Sequence, residues 1–67
     1  MYNGDMNFKE AEKLIKKDGW TECDVVGSHH HYKHPVKKGK VTIPFHGNKE
    51  LPKFVVTSIL KQAQLKE

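Results

Sequence analysis

No run of apolar residues in this chain is longer than three, and every run is broken by polar, charged, glycine or proline residues. Nothing approaches the roughly 20 apolar residues a membrane-crossing helix needs. Any core must therefore be assembled from short amphipathic pieces that each turn one side inward. The chain has 67 residues, and a core of that size rarely supplies more than about 3 to 5 kcal/mol of net stability. One domain over residues 1–67 is all that fits, and a partner is expected. Apolar residues fill 36% of positions and charged ones 30%, the balance of a small globular domain with a thin core rather than of a disordered tail.

The apolar spacing predicts the elements. Asn7 is placed to cap a helix and Glu10 to reach back to it. Phe8, Ala11, Leu14 and Ile15 then recur on one helical stripe up to Asp18-Gly19, where glycine is the natural stop. Residues 20–26 change to a short, strand-like period, with Trp20 as a core anchor and Cys23 packed as a small apolar residue. Gly27-Ser28 marks a tight turn before a second strand over residues 29–34, closed by Pro35. A polar turn precedes a third strand over residues 40–43, ended by Pro44. A second helix is expected over residues 52–65, with Val56, Ile59, Leu60 and Ala63 as its inner stripe. The order is helix, three antiparallel strands, helix: an α+β fold with two helices on one face of the sheet and the other face open to a ligand.

Twelve basic against eight acidic residues leave a net charge of +4, the electrostatic footprint of a polyanion binder. All twelve cations are lysines. Without arginine the planar fork that reads guanine edges is missing, so backbone contact is favoured over sequence-specific DNA readout. The lone Cys23 excludes an internal disulfide and a paired-cysteine zinc site, which fits a reducing compartment. Residues 1–7 have neither the basic start nor the apolar centre of a secretion signal, so a cytoplasmic location is expected.

Four of the five histidines fall within residues 29–34, and strand alternation divides them. His29, His31 and Lys33 share one face; His30, Tyr32 and His34 share the other. With Tyr32 as the core anchor, the first three belong to the open face. Imidazole is the side chain that takes and returns a proton near neutral pH, and a neighbouring lysine holds a phosphate. His30 and His34 are expected to pack or to bond backbone, and His46 lies in a loop after the third strand. His29 and His31 alone fall short of the three or four ligands zinc takes, so neither metal nor cofactor is expected.

Gly19-Trp20, Gly27-Ser28-His29-His30, Tyr32, His34-Pro35, Val41-Thr42-Ile43-Pro44, His46 and Ser58-Ile59-Leu60-Lys61-Gln62-Ala63 together resemble the HicA toxin family, also called YcfA-like proteins, over nearly the whole of residues 8–65. The resemblance implies a fold like that of a double-stranded-RNA-binding domain. It also implies a ribosome-independent mRNA interferase, held inactive by a HicB antitoxin, and makes the histidine after Gly-Ser, His29, the catalytic residue. Ser28, His31, Lys33, Lys37 and Lys38 are then the candidate RNA contacts, with His31 or His46 as candidates for the opposing proton. The toxin is expected to be monomeric alone and hetero-oligomeric with its antitoxin. The chain departs from the family at Phe54-Val55, where Gly-Thr is usual, and at Ala63-Gln64, where Ala-Gly is usual; neither touches the His29 motif. Two other readings need no catalytic histidine: a non-catalytic RNA-binding module and a protein-contact adaptor.

Overall fold

The Asn7 side chain accepts a hydrogen bond from the Glu10 amide at 2.9 Å, and the Asn7 amide donates to the Glu10 carboxylate at 3.0 Å. This reciprocal pair starts the first helix in the computed structural model, which describes residues 6–65; an irregular lead-in is expected over residues 1–6, of which residues 1–5 lie outside them. The elements are α1 (Phe8–Lys17), β1 (Thr21–Val26), β2 (His29–Lys33), β3 (Val41–Pro44) and α2 (Lys53–Gln62). The sheet is antiparallel in the order β1-β2-β3. This is the predicted α-β-β-β-α order.

α1 buries Phe8, Ala11 and Ile15, and α2 buries Val56, Ile59 and Leu60. These stripes meet Tyr32, Val41 and Ile43 from one side of the sheet, with Trp20 fully enclosed between the layers. The indole N–H of Trp20 closes no hydrogen bond with any described residue. The smallest dimension of the molecule is 17 Å, the thickness of one helical layer on one sheet. The far side of the sheet is therefore uncovered.

Both helices end in the same way. After α1, Gly19 donates to the Lys16 carbonyl and Trp20 to the Ile15 carbonyl; after α2, Gln64 donates to Lys61 and Leu65 to Leu60. These paired bonds satisfy the last carbonyls and require a left-handed residue at the pivot. Gly19 supplies it with φ +112°, and a Cβ there would sit 2.7 Å from the His34 ring. Gln64 supplies it with φ +58°, at the position where the resembling family has glycine. Its side chain donates to the Lys38 carbonyl at 2.9 Å, which offsets part of the strain of a left-handed non-glycine residue.

Several element boundaries and the exposure of Cys23 differ from expectation. β3 includes Pro44, which an edge strand tolerates because the missing N–H is not needed by a neighbour. α2 ends at Gln62 rather than at residue 65 because Gln64 has left the helical conformation. Cys23 is exposed rather than packed. The β1–β2 register shifts between Glu22 and Asp24, and a bulge of this kind leaves one extra residue unpaired and bends the strand. Cys23 is that residue, and it lines the open face beside Asp24.

Candidate active site and nucleic-acid interface

The hairpin between β1 and β2 has a two-residue loop, Gly27-Ser28, with Gly27 at φ +61°. Glycine with positive φ at the first loop position matches the twist of the flanking strands. The Phe45 amide donates to the Ser28 carbonyl at 2.7 Å, so the chain leaving β3 fastens the turn. His29 follows as the first residue of β2, paired with Val26 on one side and Pro44 on the other. It is exposed, and none of the described residues bonds its ring. Ser28 is exposed beside it.

Alternation places His31 and Lys33 on the same open face as His29. His31 is half-buried, with Nδ1 2.9 Å from the Thr42 hydroxyl on the paired position of β3. His31 and Lys33 line a cleft of about 330 Å³ together with Cys23, Asp24 and Lys40. Asp24 turns one carboxylate oxygen back to accept from the Val25 amide at 2.9 Å. A larger groove of about 640 Å³ runs along the outside of α1 between Lys9, Lys13 and Lys17. Glu10, Glu12 and Lys16 complete its lining, and no histidine is among them.

The other expected contacts lie elsewhere. The Lys37 ammonium donates to the Asp18 carboxylate at 2.6 Å and to the Ala63 carbonyl at 3.2 Å. It joins the ends of α1 and α2 and is not brought to the His29 face. Lys38 is exposed on the same loop, where its carbonyl receives Gln64. His46 is exposed two residues beyond β3, at the end of the sheet where His29 begins.

His34 is structural. Its Nδ1 accepts from the Val36 and Lys37 amides at 3.0 and 2.9 Å, so its proton sits on Nε2, which donates to the Asp18 carbonyl at 2.8 Å. The ring also stands edge-on to Trp20, with centroids 5.2 Å apart. Lys37 draws the Asp18 carboxyl below its usual range through that hydrogen bond, against the opposing effect of desolvation.

His30 packs, as its place in the pattern predicts, but it does more. Its ring lies 4.7 Å from that of Phe8, and its Nδ1 is 2.5 Å from the Glu22 carboxylate. Glu12 of α1 comes to the same place, accepting from the Tyr32 hydroxyl at 2.6 Å. Burial, then that bond to Glu12, pushes the Tyr32 phenol well above its usual range. Ligand atoms of Glu12, Glu22 and His30 lie within 4.8 Å of one another, near enough for a cation to bridge. Sequence spacing could not reveal this group, because its members come from α1, β1 and β2. Lys40 was missed for a related reason: it meets Lys33 only once β3 has paired with β2.

The fold and this face define a small basic α+β domain whose open sheet surface carries histidine and lysine. The family model for the HicA toxin of bacterial toxin-antitoxin systems matches residues 8–65, and the chain belongs to that family. It is accordingly the toxin component of a toxin-antitoxin pair, and an antitoxin is its implied partner. The curated proteins contain no match to it. Among the described residues, no helix is long and apolar enough to cross a membrane.

Proposed function

We propose that this toxin is an endoribonuclease that cuts mRNA without the ribosome, in the cytoplasm, and is neutralised by a HicB-like antitoxin. The observation that carries the reading is His29: an exposed imidazole at the mouth of a tight hairpin, on a lysine-bearing face, directly after Gly27-Ser28, the sequence setting that resembles the family's. RNA brings its own nucleophile. His29 removes the proton of a ribose 2′-hydroxyl, the freed oxygen attacks the adjacent phosphorus, and the 5′-oxygen leaves with a proton from a second donor. The products are a 2′,3′-cyclic phosphate and a 5′-hydroxyl end. Lys33, on the same face, attracts the phosphate backbone of the RNA and holds it along the strand. His31 and His46 are the candidate proton donors.

Expression alone should arrest growth, and coexpression with the antitoxin should restore it. The purified toxin should leave cyclic phosphate ends, and a 2′-deoxy nucleotide at the scissile position should stop cleavage there. Cutting of the deoxy substrate would assign the attack to water, and absence of any cleavage would leave a non-catalytic RNA binder.

A second assignment within the same reaction rests on the Glu22–His30 contact. A carboxylate that orients an imidazole is a common support for a general base, which makes His30 the alternative acid–base residue, on the opposite face of β2 from His29.

A further inference from the structure

We infer that the cleft between Lys33 and Lys40 is a phosphate subsite that holds the RNA linkage next to the one being cut. The inference rests on the proposed reaction at His29 and adds the way the strand is laid along the sheet. The bulge at Cys23 makes the cleft: the extra residue bends β1, and Cys23 and Asp24 form one wall, with His31, Lys33 and Lys40 opposite.

Its charge selects an anion. Lys33 and Lys40 make no ion pair with any described residue, whereas Lys37 and Lys16 are occupied by Asp18 and Glu12. The one acid in the cleft, Asp24, has an oxygen committed to the Val25 amide. Two ammonium groups thus face one carboxylate. Where the Thr42 hydroxyl donates to Nδ1 of His31, the ring proton lies on Nε2 and adds a third donor.

Its position selects the linkage. His29 and His31 are two residues apart on one face of a strand, a separation of about 7 Å, comparable to the distance between successive phosphates of an extended RNA strand. A strand running along β2 with one phosphate at His29 therefore presents its neighbour to His31, Lys33 and Lys40. Lysine is suited to this role because it attracts phosphate without reading the base.

The test is binding of a fluorescent, fully 2′-O-methylated oligoribonucleotide, which cannot undergo internal attack, across a salt series. Lys40→Gln should weaken binding about 3- to 10-fold and reduce the slope of log affinity against log salt by about 0.7, the value of one lost phosphate contact on a single strand. Lys33→Gln should do the same, and Lys40→Arg should keep the wild-type slope. A neutral methylphosphonate one linkage from the cut site should weaken binding to the wild type and have no further effect on Lys40→Gln. Unchanged affinity and slope in Lys40→Gln overturns the subsite, as does a loss of antitoxin binding alone, which would make the cleft a protein contact. Because binding rather than cleavage is read, these outcomes hold whether or not His29 performs the reaction, and failure of catalysis is read separately.

Discussion

Single side chains divide between holding the fold and facing solvent, and Lys37 is the sharpest case. As one of three lysines within four positions it reads as part of a basic patch, yet its ammonium is bound by Asp18 and Ala63, 19 and 26 residues away. No local pattern encodes such a partner. The arrangement makes a pH prediction with a definite sign. Lys37 holds the Asp18 carboxyl below its ordinary value of 3.8, so the folded state favours the ionised form. The resulting stabilisation is complete above that ordinary value and is lost as pH falls through the lowered one, below about pH 4. Lys37→Met should move the Asp18 titration, followed by NMR, back towards 3.8 and flatten the acid limb of the stability profile. An unmoved Asp18 titration in that variant would contradict the assignment. His34 was legible by contrast, because a histidine in strand alternation with a buried tyrosine had to turn inward.

At the scale of elements, short-range signals carried most of the information. The capping pair Asn7 and Glu10, the stop at Gly19 and the Gly27-Ser28 turn each act over a few residues, and each stands where the sequence placed it. What stayed hidden depends on pairing. The bulge exists only because β1 and β2 shift register, and it sends Cys23 to the open face and shapes the cleft. The end of α2 is the other such case, since Gln64 carries a left-handed turn that favours glycine and recovers part of the cost through Lys38. Gln64→Ala keeps the strain and loses the bond, and should destabilise the fold by about 1 kcal/mol. Gln64→Gly loses the bond but relieves the strain, and should be close to neutral. Denaturant midpoints check the order, and an alanine variant as stable as the glycine variant would contradict it.

The whole molecule is two layers with opposite duties. The helices and the inner side of the sheet contain the core and the polar ties of Asp18, His34 and Lys37; the outer side carries His29, His31, Lys33 and Lys40 over little more than strand backbone. The two-layer plan was legible because apolar residues at helical and strand periods demand a shared interior. Which lysines meet on the outer side was not, since that follows from the β2–β3 register. This separation means that the outer face can be altered without dismantling the core. His29 is exposed and no described residue bonds its ring, so its replacement should leave the fold intact. The most direct test is RNA cleavage by purified His29→Ala beside His30→Ala, with folding and antitoxin binding checked for each. His29→Ala is expected to fold, to bind antitoxin and to cut RNA about 10² to 10⁴-fold more slowly. A folded His29→Ala protein that cuts at the wild-type rate would contradict it, and loss of activity confined to His30→Ala would move the catalytic role to the Glu22-paired ring.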